Sequence, residues 1–142
     1  GIFELRRIVE PQVAALAARR RTKIQLGRME AALARMEKHT LKTEEGRLAD
    51  QEFHAALLAA SGNVFLASLT SGVGAAVAWT TVFKQRRRVR RNPLPEHVRV
   101  WRAVAARDAQ GAHAAMLELV DLAFTGTAKA RKRKIKTAAK AK

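Results

Sequence analysis

Apolar residues return every third or fourth position from Phe3 to Phe124, with few interruptions, and that spacing belongs to helices that bury one face. Strand signals are scarce. Aromatic residues make up 5% of the chain, there is no Tyr, and Ala dominates a 48% hydrophobic composition, which suits helix packing through small and medium side chains. The interruptions divide the pattern. Phe3 to Ala18 reads as a first helix, with Pro11 inside it as a kink or a lost backbone bond. Thr22 caps a second, whose inner stripe is Ile24, Leu26, Met29, Leu33 and Met36. Thr43, with Glu44 and Glu45 behind it, opens a third that stops at Ser61-Gly62. Asn63 starts a fourth that runs into an arginine cluster, and Asn92-Pro93-Leu94-Pro95 breaks the chain. Pro95–Arg107 forms a fifth, and Asp108 caps a sixth that ends near Phe124. Short connections and the lack of an internal repeat predict an all-α fold, an antiparallel bundle of about six helices.

The net charge of +16 points towards nucleic acid, but its distribution is uneven. Residues 129–142 carry eight cations and no acid, and residues 84–91 carry six more. The rest of the body is close to neutral. The division expected is therefore a folded domain over residues 1–125 and a basic tail over 126–142, disordered because it has no apolar face. No cysteine is present, which excludes disulfides, thiolate metal sites and a cysteine nucleophile. No apolar run reaches the roughly 18 residues of a membrane span. The N-terminus has no signal-peptide layout, so a cytoplasmic location is expected.

Asp50 and His54 stand four residues apart, on one face of the third helix and one turn from each other. That spacing suits two ligands of one ion, and it equally suits an ordinary surface pair. His97 lies 11 residues before the turn at Asp108, so its level on the sixth helix falls near Leu119, 11 residues after it. Glu118, the nearest polar alternative, points about 100° away round the helix. His113 is almost two turns below Leu119, and His39 sits at a helix end. Asn63 has the position of a helix cap and the chemistry of a ligand contact. Arg6 can pair with Glu10 at i,i+4 or face a pocket. Trp79 and Trp101 are expected in the core or between helices. Arg86 stands out in the arginine cluster as a residue that could line a pocket mouth.

In order and spacing, these pieces resemble the C-terminal effector-binding domain (FCD domain) of the FadR subfamily of GntR-type bacterial transcription regulators. The resemblance covers roughly residues 2–123. It rests on Phe3-Glu4-Leu5-Arg6 with Glu10, the run Ala14-Ala15-Leu16-Ala17-Ala18, Asp50-x-x-x-His54 and Ala59-Ala60-Ser61-Gly62-Asn63. Glu96-His97, Ala106-Arg107-Asp108-Ala109 and Ala114-Ala115-Met116 complete it. It implies an all-helical, homodimeric domain that binds a small organic acid, in many members through a divalent metal held by one Asp and three His. It places Asp50, His54 and His97 on three ligand positions and Leu119 on the fourth, which an apolar side chain cannot fill. A zinc or nickel site weakened by that loss is the expectation, beside a metal-free pocket in which the three polar residues bond each other or the acid. The resemblance also implies that Arg6 meets the acid's carboxylate; Asn63, as a contact to ligand or metal-bound water if not only a cap, and Arg86, at the pocket mouth or on DNA phosphates, are the further ligand candidates.

The family senses its ligand rather than turning it over, and no nucleophile–base pair or oxyanion motif accompanies the histidines, so no enzyme is expected. The family's DNA reader is an N-terminal winged helix–turn–helix, expected to be absent here because residues 1–20 already read as the first effector-domain helix. The alternative reading is a basic nucleic-acid-binding protein that acts through its Lys/Arg/Ala tail by salt-sensitive phosphate contacts.

Overall fold

The computed structural model describes residues 1–86 and 92–140, with side chains for 1–81 and 92–125. Seven helices occur among the described residues: α1 (Ile2–Arg20), α2 (Lys23–His39), α3 (Glu44–Ala60), α4 (Val64–Ala67), α5 (Thr70–Arg86), α6 (Leu94–Ala105) and α7 (Ala109–Lys140).

Local chemistry sets most of the starts. Thr22 and Gln25 cap α2 reciprocally: the threonine hydroxyl accepts from the Gln25 amide at 3.1 Å, and the Gln25 side chain accepts from the Thr22 amide at 2.9 Å. Thr43 caps α3 through the Gly46 amide at 3.1 Å. Gly46 has to be glycine, because a Cβ there would run into the Thr40 carbonyl. Gly62 follows α3 in the left-handed conformation, φ +64°, that favours glycine. Asp108 starts α7 by accepting from the Gly111 amide at 2.9 Å. α1 stays helical through Pro11, whose ring is buried.

Two elements differ from the sequence expectation. The single helix predicted after Asn63 is divided into the one-turn α4 and α5. At the break, the Ser68 and Thr70 hydroxyls each donate to a carbonyl three residues back, Phe65 and Ala67, at 2.6 Å. Such side-chain bonds compete with the regular helix ladder. At the other end, the predicted stop near Phe124 is not a stop: the α7 backbone continues to Lys140. Ala, Lys and Arg are strong helix formers, and extending an existing helix needs no new nucleus.

α1 packs on α7 and α3, α2 on α3 and α6, α5 on α3, and α6 on α7. The core they enclose includes Val13, Ala17, Met29, Phe53, Leu57, Val100, Val104 and Met116. Trp101 is half-buried and donates its indole N–H to the Leu26 carbonyl at 3.3 Å. Trp79 lies at the α1–α5 contact rather than in the core: it meets Phe3 edge-on and is 46% exposed. No described helix is long and apolar enough to cross a membrane.

Candidate metal and ligand site

Five helices converge on one cavity with roughly 40 Å³ of water-reachable space. α1 contributes Arg6, α3 contributes Asp50 and His54, and α6 contributes Glu96 and His97. α5 adds Val77, Thr80 and Thr81, and α7 adds Leu119, Leu122 and Ala123. The helical spacing read from the sequence explains the meeting. Arg6 and Glu10 share a face of α1, Asp50 and His54 share a face of α3, and both pairs are buried.

Asp50, His54 and His97 offer one ligand atom each, all within 4.8 Å of one another. Asp50 Oδ1 lies 2.9 Å from His97 Nε2 and 3.5 Å from His54 Nε2. Donors around one ion, each at about 2.0–2.2 Å from it, stand about 3–3.5 Å apart. Both rings have a second acceptor behind them. His97 Nδ1 is 2.8 Å from the Pro93 carbonyl, and His54 Nδ1 is 2.7 Å from Glu10 Oε2. A carbonyl can only accept, so His97 carries its proton on Nδ1 and turns Nε2 towards the Asp50 carboxylate. Each imidazole thus lies between two oxygen acceptors, and a further proton or a cation has to stand between Asp50 and the rings. His54 meets neither acceptor in hydrogen-bond alignment although it is fully buried. A buried donor set of one carboxylate and two imidazoles, with a carbonyl and a carboxylate behind the rings, fits a divalent cation.

The electrostatics of the metal-free cluster follow from the same contacts. Burial opposes ionisation of Glu10, but the charges of His54 and Arg6, with the close His54 contact and the Arg6 hydrogen bonds, outweigh it and hold the carboxyl at about 2. Burial likewise works against the His54 cation. The Glu10 charge and the contacts with both carboxylates override it and push the ring up to about 9. Asp50 is held well below the usual carboxylate range by His54 and His97, again against its burial.

Arg6 combines the two roles the sequence left open. It is 2% exposed, lines the cavity, and binds Glu10 through Nε at 2.6 Å and Nη2 at 3.4 Å. Leu119 lines the same cavity as His97, at the level the hairpin count predicts. Glu118 turns outward to Arg99 at 3.7 Å. His113 lies 3.4 Å from the Gln12 amide, outside the cavity. Asn63 is not brought to the cavity: its Oδ1 accepts from the Phe65 and Leu66 amides at 3.0 and 3.2 Å and caps α4. The side chain of Arg86 lies outside the described residues, as does the rest of the arginine cluster. Two participants were missed from sequence, Glu10 as the partner of His54 and Thr81, whose hydroxyl sits 3.2 Å from Asp50 Oδ2. The i,i+4 spacing of Arg6 and Glu10 was the only available signal for the first, and nothing in the sequence marks the second.

The family model of the FCD domain matches residues 1–122. The chain belongs to the FCD domain family. It is 37% identical to the HTH-type transcriptional regulator LutR of Bacillus subtilis (strain 168), over 82% of this chain and 56% of that protein. It superposes on the Streptococcus agalactiae GntR structure with a TM-score of 0.70 at 27% identity, over 86% of this chain and 56% of that one. The chain thus spans about half the length of these relatives. The FCD domain of GntR-type regulators accounts for the bundle and for the order of helices that frame the cavity.

Proposed function

We propose that this FCD domain is the ligand-sensing part of a GntR-type transcription regulator, and that it binds a small organic acid through a divalent metal ion. The observation that carries the reading is the convergence of Asp50, His54, His97 and Arg6 on one buried cavity. Asp50, His54 and His97 would hold the ion, zinc or nickel by donor type. When bound, it supplies a fixed positive charge and open positions for a carboxylate. Arg6, which lines the cavity, adds a guanidinium suited to the same carboxylate. The small cavity selects a small acid, and Leu119, Leu122 and Val77 give it an apolar wall. Because Leu119 offers no donor, the protein supplies three ligands, and the ion is held less tightly than by four.

Regulation then requires that the acid bind two arrangements of the protein unequally, so that occupancy alters operator affinity. Operator reading would belong to an N-terminal winged helix–turn–helix, in keeping with the HTH-type name of LutR. A cytoplasmic homodimer is the form proposed, with sensing and not turnover as the role of the site. The test joins metal analysis of protein purified without a His tag to a thermal-shift screen of small carboxylic acids. A stoichiometric divalent metal and a stabilising acid are expected. A protein that holds no metal, is indifferent to chelators and answers to no acid sinks the reading.

A second activity is favoured by the α7 backbone, which takes in seven of the eight tail cations before it ends at Lys140. A helix so charged binds nucleic acid through phosphates, without sequence preference and with strong salt dependence. Removing Lys129–Lys142 should abolish that binding and leave acid sensing intact. DNA affinity that survives the deletion would exclude the tail as its source.

A further inference from the structure

Glu10 belongs to none of the cavity-lining positions, yet it is 1% exposed and its carboxylate lies between Arg6 on its own helix and His54 on α3. Oε1 takes Arg6 Nε at 2.6 Å from one turn earlier on α1. Oε2 accepts a longer bond from Arg6 Nη2 at 3.4 Å and lies in ion-pair contact with His54 Nδ1 of α3 at 2.7 Å. Beyond His54 the chain of contacts continues to Asp50, then to Thr81 on α5 and His97 on α6. A buried carboxylate without a role would be costly to keep, and pairing it with Arg6 alone would satisfy it. The geometry instead places its second oxygen, which Arg6 Nη2 reaches only at 3.4 Å, 2.7 Å from the ring nitrogen that faces away from the donor cluster.

We infer that Glu10 is a positioning residue for the ion site: it fixes His54 with Nδ1 protonated and Nε2 directed at the ion, and Arg6 holds Glu10 in place to do so. This rests on the reading that Asp50, His54 and His97 hold a divalent cation. It adds that α1, which ligates nothing, is tied to that cation through one carboxylate. His97 needs no such residue, because the Pro93 carbonyl on its own helix entry performs the same task. The two imidazoles are therefore oriented by different means, one by local backbone and one by a long-range side chain. Cation binding thus reaches α1 through His54 and not through His97. Outer partners of this type typically change metal affinity about 10–100-fold when removed.

The experiment titrates zinc into the metal-stripped chain by competition with a chelating dye. It compares the parent protein with Arg6→Gln/Glu10→Gln, which keeps an acceptor oxygen, and Arg6→Leu/Glu10→Leu, which does not. Both double variants avoid leaving a buried unpaired charge, and circular dichroism confirms that they fold. The expected order is parent, then the Gln pair, then the Leu pair, with the last weakened about 10–100-fold. A purely structural role would lower the melting temperature without that order. Should a variant fail to fold, long-range ¹⁵N–¹H correlation spectra of the zinc-loaded parent decide the matter. A His54 ring that carries its proton on Nδ1 and binds zinc through Nε2 is expected. Equal zinc affinity in all three proteins, or zinc on His54 Nδ1, overturns the role of Glu10 while leaving the ion site standing. A parent chain that binds no divalent cation overturns the ion site and the inference with it.

Discussion

The bundle has two halves that differ in what they bury. Four helices change character at one level. α1 buries Arg6 and Glu10 and then Val13, Ala14 and Ala17; α3 buries Asp50 and His54 and then Leu57 and Leu58. α6 buries Glu96 and His97 and then Val100 and Val104, while α7, running the other way, goes from Ala112 and Met116 to the cavity wall at Leu119. Phe53 marks the boundary, with its ring edge-on to both His54 and His97 at 5.7 and 5.1 Å. The dry half gains stability from apolar burial. The ionic half gains little net stability, since desolvating paired charges offsets much of their attraction. What it gains is a set of donors held rigidly out of water, which a sensor needs and a scaffold does not.

If the halves divide the labour in this way, substitutions in each should have crossed effects. Asp50→Asn should have the largest effect on binding. It removes the charged donor both imidazoles face, and zinc affinity should fall by more than the about 100-fold upper limit for outer partners. Isothermal titration reads that loss. In the dry half, Leu57→Ala should cost about 2–5 kcal/mol of unfolding free energy in urea while leaving zinc affinity nearly unchanged. A large loss of zinc affinity in Leu57→Ala would erase the distinction between the halves.

pH sharpens it further. Glu10, held at about 2, contributes stability that is present above its ordinary 4.5 and lost as pH falls towards 2. His54, raised to about 9, contributes stability that is complete below its ordinary 6.5 and lost as pH rises through 9. The metal-free protein should therefore melt highest between about pH 4.5 and 6.5 and lower on either side. Zinc binding should release the extra His54 proton, so affinity should increase with pH up to about 9. A melting temperature that climbs steadily from pH 5 to 9 would contradict the His54–Glu10 contact.

Leu119→His tests the apolar wall. A third imidazole at that level should tighten zinc by about tenfold or more, as the site closes towards four protein ligands. No gain would mean that position 119 does not face the ion. The smallest effect is expected outside both halves. Asn63→Ala should cost about 1 kcal/mol through the lost α4 cap and leave acid and metal binding untouched. A changed acid response in that variant would return Asn63 to the ligand site.

Much of this was legible before the fold. Thr22, Thr43 and Asp108 announce helix starts because a short oxygen side chain can satisfy free backbone amides wherever the rest of the protein lies. Asp50 and His54 share a face by helical geometry alone, and the count outward from Asp108 puts Leu119 level with His97. Glu10 was not legible in its present role. An Arg and a Glu four residues apart look the same on a wet face as on a buried one, and only the arrival of His54 from α3 distinguishes them. The break at Ser68 was hidden for a related reason, since serine and threonine bond carbonyls within intact helices as well as at their ends. For Trp79 the sequence expects the core or a place between helices, and the fold chose the second: it meets Phe3 of α1 edge-on and stays 46% exposed.

The sequence by itself determined that this chain makes helices, where most of them start, and which residue types are available to hold an ion. Those properties depend on neighbours within one turn. Only the tertiary structure decided that six buried polar side chains from four helices form one connected cluster, because burial is set by the elements that pack on a face and not by the face itself. Dielectric, desolvation and pairing all follow from that packing, and they turn an ordinary Arg6–Glu10 step into the support of His54.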